Sequence, residues 1–206
     1  MTKTVRLGNI INDGLPYLLM EIGKTLYAAD RKAWHSWLAK NHKKKNEIWL
    51  VYYRKASGKP RIPYNDAVEE ALSFGWIDSI VKNIDDERFA QRFSPRRQGS
   101  QLSQMNKERI RTLIKQKRMT PAGLAAVAHA FKADPEDFTV SKDILEALKE
   151  NADAWAHFQK FPESYKRIRI GYIESQRRHG SDAFKRSLRN FIRMTAKGKR
   201  FGFVRE

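Results

Sequence analysis

The chain has no cysteine among its 206 residues. That absence excludes a disulfide scaffold, a thiolate zinc site, an iron–sulfur cluster and a cysteine nucleophile. It accords with a reducing compartment and equally with a periplasmic protein that lacks cysteine. No run of about 18 apolar residues occurs, and a transmembrane helix is not expected. Residues 9–20 are mildly apolar, but Asn12, Asp13, Gly14 and Pro16 interrupt them. They lack the apolar core of a signal peptide and read as part of the mature protein. Neither G-x-x-x-x-G-K-[ST] nor G-x-G-x-x-G is present, which removes those two routes to nucleotide binding. G-x-S-x-G is missing as well. Acidic residues are scarce: 23 Asp and Glu stand against 41 Lys and Arg, a net charge of +18.

Aromatic residues make up 11% and hydrophobic residues 41%, enough to bury a core and too many for a disordered chain. The length suits one domain with an appendage or two small domains. The charge predicts an acidic partner: nucleic acid, an acidic protein or an anionic membrane surface. It is unevenly placed. Residues 1–60 carry +8, 61–94 carry −3, 95–118 carry +7, 119–163 carry −4 and 164–206 carry +10.

The pattern predicts a short strand at residues 25–28 and a helix capped by Asp30, with Trp34, Trp37 and Leu38 at helical spacing. Ile48 to Arg54, rich in β-branched and aromatic residues, predicts a central strand. A helix is expected from about Tyr64 to Ser73. A hairpin should follow, with strands at residues 76–81 and 88–93 joined through Asn83, Asp85 and Asp86. Beyond Pro95 the pattern turns helical. Caps are expected at Ser103, at Thr120 with Pro121 at the first helical position, at Ser141, at Asn151 or Asp153, and at Ser181, and Pro162 opens a further helix. The fold class is α+β: a small, mostly antiparallel sheet packed with helices, followed by an α-helical C-terminal unit.

Several stretches form a recognisable set. They begin with Trp34-x-x-Trp37-Leu38 and Ile48-Trp49-Leu50-Val51. The block at 67–79 follows, AVEEALSFGWIDS, preceded by Tyr64. Next come Arg92-Phe93-Ser94-Pro95-Arg96-Arg97, Ser100, Ser103 and Asn106, and then Met119-Thr120-Pro121-Ala122-Gly123. Pro162-x-Ser164-Tyr165 and Lys185-Arg186 complete the set. From about Trp34 to Arg200 the chain resembles the bacterial YdeI/OmpD-associated (OmdA) proteins, also called bacteriocin-protection proteins. The resemblance implies a cytoplasmic protein linked to envelope stress or antimicrobial-peptide tolerance, with no catalytic residues to carry over. It departs from the family pattern at Ser73, where Cys is usual, at Leu102, where Trp is usual, and between Ser175 and Asp182. The domains are therefore expected at 1–132 (YdeI-like α+β) and 141–206 (OmdA-like helical), with a linker at 133–140.

Three constellations carry candidate chemistry. Arg96 and Arg97, with Ser100, Ser103 and Asn106 at a helix start, could hold a phosphate or carboxylate, because the first helical N–H groups point outward unpaired. Those arginines could equally pair with Asp78, Asp85 or Asp86. Asp78 is read as a polar partner, and in an enzymatic alternative it would flank a small-anion pocket with Arg96 under Trp76. Lys185, Arg189 and Arg193 fall at i, i+4, i+8 and should form a cationic stripe opposite Phe184, Leu188, Phe191 and Ile192. The alternatives to a polyanion face are a merely solvated surface and a protein-interaction scaffold built on the C-terminal helices. None of the five histidines falls in a convincing metal or His–carboxylate pattern. No metal, cofactor or catalytic residue is assigned.

Overall fold

A computed structural model describes residues 21–131 and 138–202. Residues 9–20 and most of the expected linker lie outside the described residues. The run Ile48–Tyr53 forms strand β2, and its first five residues are buried, as side chains of this kind suit a sheet covered on both faces. The short β1 (Thr25–Tyr27) pairs with it in parallel. β3 (Trp76–Asn83) and β4 (Arg88–Pro95) form the hairpin. The sheet order is β1-β2-β4-β3, and both pairings of β4 are antiparallel. Asp85 shapes the hairpin turn by accepting from the Glu87 and Arg88 amides at 3.0 and 2.7 Å.

The chain divides into two compact units. The first holds the described residues up to Gln98 together with Met119–Ala126. In it, Asp30 caps α1 (Arg31–Asn41) by accepting from the Ala33 amide at 2.8 Å. Trp34 and Leu38 are fully buried, and the Trp34 indole donates to the Ala67 carbonyl at 3.0 Å. That carbonyl belongs to α2 (Tyr64–Ser73), which buries Ala67, Val68, Ala71 and Leu72 on the face its spacing predicts.

The Ser-Phe-Gly-Trp block has a structural role. Gly75 adopts φ +78°, which turns the chain from α2 into β3, and a side chain there would press on Ala126. The Ser73 carbonyl accepts from the Thr120 amide at 3.0 Å and from its hydroxyl at 2.7 Å. Thr120 also caps α4 (Pro121–Val127), accepting from the Gly123 amide at 3.1 Å. A Cβ on Gly123 would collide with the Ser73 carbonyl. Two motifs nearly fifty residues apart are thus one clamp that needs a hydroxyl and a glycine. α4 ends at Val127.

The second unit holds Gly99–Arg118 and the described residues from Val127 onward. Its helices are α3 (Gln104–Lys115), α5 (Lys142–Lys149), α6 (Ala152–Lys160), α7 (Glu163–Ser175) and α8 (Ser181–Ala196). α3 packs on α7, where Gly171 allows close approach to Gln104. Buried Glu108 of α3 accepts from Arg167 of α7 at 2.6 and 3.1 Å, and from Arg111. Ile144, Leu148, Phe158, Tyr165, Ile170 and Phe191 form the core of the remaining helices. Arg169 is buried beneath aromatic rings, 4.1 Å from Phe201 and 5.1 Å from Tyr172, and burial lowers its pKa.

Two expected helix caps need correction. α8 begins at Ser181, and Gly180 occupies the cap at φ +96°, a conformation Ser would adopt only with strain. Ser141 sits at the cap of α5, but its hydroxyl donates to Glu174 and caps nothing. Pro162 opens α7 as expected, standing at its cap immediately before Glu163.

Candidate functional site

The C-terminal stretch has no acidic residue between Asp182 and Arg205, so the cations of α8 have no acidic neighbours on their own element beyond its first turn. The helix is strongly amphipathic: Phe184, Phe191 and Thr195 are buried, with Leu188, Ile192 and Ala196 packed alongside. Lys185, Arg189 and Arg193 are exposed on the opposite side. They repeat every four residues, about 6 Å per step at 1.5 Å rise per residue. Lys197, which closes the helix, continues the register. None of the four has a carboxylate partner among the described residues. Arg193 donates to the Asn190 side-chain oxygen at 2.9 Å. The period of four places these cations on the exposed side of the helix. Lys197 was missed as the fourth member of the stripe, although its i+4 position from Arg193 is legible.

Beside this stripe is an open groove of about 500 Å³. Arg189, Arg193 and Lys197 line one side and the start of α6, Asn151 and Asp153, lines the other. Nothing in the sequence joins these positions, because they meet only through the packing of α6 on α8.

Arg177, just upstream of α8, contrasts with these cations. It donates to Asp143 at 2.9 Å and to Glu174 at 2.6 Å. Hydrogen bonds to Glu174 and Asp143 raise its pKa, and it in turn lowers both carboxylates.

The anion pocket expected at residues 96–106 draws on both units. In the first, Arg96 ends β4, donates its amide to the Gly75 carbonyl at 2.9 Å, and has a guanidinium whose pKa burial lowers. Arg97 is exposed. In the second, the Ser103 hydroxyl caps α3 by accepting from the Asn106 amide at 3.3 Å. The Asn106 side-chain oxygen accepts from Arg109 at 2.9 Å, and the Ser100 carbonyl faces the His129 ring at 3.1 Å. Ser103 and Asn106 are thus brought together, in a capping arrangement.

Asp78 accepts from Tyr64 at 2.9 Å and from Gln91 at 2.7 Å. Buried Tyr52 lies in the field of this carboxylate, and burial, then Asp78, pushes its phenol well up. Trp76 cannot roof a pocket. It is fully buried, its N–H donates to the His42 carbonyl at 3.1 Å, and Trp37 meets its ring edge-on.

Sequence reasoning also missed a charged cluster. Arg31 bonds to Asp66, Glu69 and Glu70 of α2, at 3.4 and 2.8 Å for the first two. Burial opposes its charge, but Glu70, with Glu69 and Asp66, raises its pKa. His35 contacts the same Glu70 at 2.8 Å, so a His–carboxylate pair does exist. Among the described residues, no group of three or more His, Asp or Glu could hold a metal ion. No described helix is long and apolar enough to cross a membrane.

Residues 137–198 match the family described as bacteriocin-protection, YdeI or OmpD-associated. The chain therefore carries an OmdA domain. The groove and all four cations of the α8 stripe lie inside the OmdA match. Residues 26–126, including the block at 67–79, match a different family, a domain of unknown function termed DUF8412. No curated protein and no solved structure matches the chain.

Proposed function

We propose that this OmdA-domain protein is a non-enzymatic binder of a polyanion, nucleic acid in the first place, and that α8 is the contact. The observation that carries this reading is the row Lys185, Arg189, Arg193: exposed, in register, and without carboxylate partners among the described residues. A phosphate backbone offers charges at intervals of a few ångströms, and neutralising them releases counterions. The family's bacteriocin-protection description supports a role in stress tolerance.

Fluorescence anisotropy with labelled RNA and DNA, single- and double-stranded, at about 50 and 200 mM salt tests it. Micromolar binding that weakens steeply with salt is the expected result. Arg189→Glu with Arg193→Glu should abolish it at the higher salt. Binding to anionic vesicles but to no nucleic acid would replace this reading with a membrane-surface one.

A further inference from the structure

We propose that the groove between α8 and the start of α6 recognises the ribose of RNA, so that the protein prefers RNA to DNA; this rests on the reading of α8 as a nucleic-acid contact. A cationic stripe alone needs no concavity to follow a backbone. Here Arg189, Arg193 and Lys197 line a groove of about 500 Å³, within the roughly 300–1,000 Å³ of small-ligand sites. One nucleotide unit fits such a volume.

The opposite wall decides what kind of nucleotide it is. Asp153 is exposed there and makes no salt bridge among the described residues, although three cations share its groove. A carboxylate is a poor neighbour for phosphate, since like charges repel. It is a good acceptor for a hydroxyl, because an ionised Asp only accepts. The donor next to a backbone phosphate in RNA is the 2′-hydroxyl, which DNA lacks. A carboxylate reading ribose hydroxyls is established chemistry in dinucleotide-binding folds. The Asn151 oxygen is engaged as the α6 cap, accepting from the Ala154 amide at 2.9 Å, and its amide nitrogen supplies a neutral donor on the same wall. Ile192 and Ala196 complete the lining, which contains no aromatic ring. The groove therefore offers no base-stacking platform, and discrimination falls on the sugar.

The test uses the full chain and one short single-stranded sequence made as RNA, as DNA and as 2′-O-methyl RNA, at one low salt concentration. RNA should bind about tenfold tighter than the other two, the scale of one hydrogen bond to a charged acceptor. Asp153→Ala should erase that preference, mainly by weakening RNA, while a thermal melt confirms that the variant is folded. Equal binding of RNA and DNA would overturn this inference and leave the α8 contact standing. An RNA preference that survives Asp153→Ala, or 2′-O-methyl RNA binding like RNA, would also overturn it. No binding of any strand would remove both the inference and the reading beneath it.

Discussion

In the sheet unit Arg31 meets three carboxylates of α2; among the described residues, Arg189 of α8 meets none. Both arginines sit on helices whose other side fills a core. The first is an internal tie. It neutralises Glu70, which is buried and could not stay charged alone without a large desolvation cost. The second is solvated and contributes little to folding; on the proposed reading it serves a contact outside the chain. Sequence composition counts the two alike in the +18. Placement separates tied charge from solvated charge, and the OmdA domain holds both kinds: Arg167 and Arg177 are tied, while Lys185, Arg189 and Arg193 are exposed and have no carboxylate partner among the described residues.

The largest effect should come from breaking the tie. Arg31→Ala removes the guanidinium from buried Glu70, leaving His35 beside it, and should cost about 3 kcal/mol in chemical denaturation. Arg189→Ala should stay within about 0.5 kcal/mol of the parent. Equal losses in the two variants would erase the distinction. Gly123→Ala comes next, because its methyl group meets the Ser73 carbonyl and the backbone must move. About 2 kcal/mol is expected from the same denaturation curves, with nucleic-acid binding intact once folded. Reversing Lys185, Arg189 and Arg193 together should leave unfolding nearly unchanged while binding collapses, which dissociates the two readouts.

The smallest effect is a pH dependence. Arg177 lowers the folded-state pKa of Glu174 and Asp143, so their stabilisation is present above the unfolded values near 4. It is lost as pH falls through the lowered values. Between about pH 5 and 3 the melting temperature of the parent should therefore drop further than that of Arg177→Gln, which has already lost this contribution. Parallel curves would show that Arg177 is as idle for stability as Arg189.

Local chemistry was legible in the sequence, and long-range geometry was not. Asp30, Ser103, Thr120 and Asn151 cap helices where their spacing says they should, because a cap is settled within three residues. The period of four on α8 likewise told its two faces apart. Gly180 displaced Ser181 as a cap because a positive φ outweighs hydroxyl preference, and periodicity does not report φ. The meeting of Ser73 with Thr120 and Gly123, the grip of Arg31 on α2, and the Asp153 wall opposite Arg193 all depend on tertiary packing between segments far apart in the chain. The Phe-Gly-Trp block was visible as a motif, but its purpose, a glycine turn and a carbonyl held by Thr120, became readable only in three dimensions.

The most direct test of the α8 contact is the slope of log affinity against log salt for duplex nucleic acid, measured for the parent and for the variant with Lys185, Arg189 and Arg193 changed to Gln. Each phosphate contact contributes about 0.9 to the slope on a duplex, so removing three cations should flatten it by about 2.7. An unchanged slope, with affinity intact, would show that the stripe touches no phosphate and that the charge of α8 is only solvated surface.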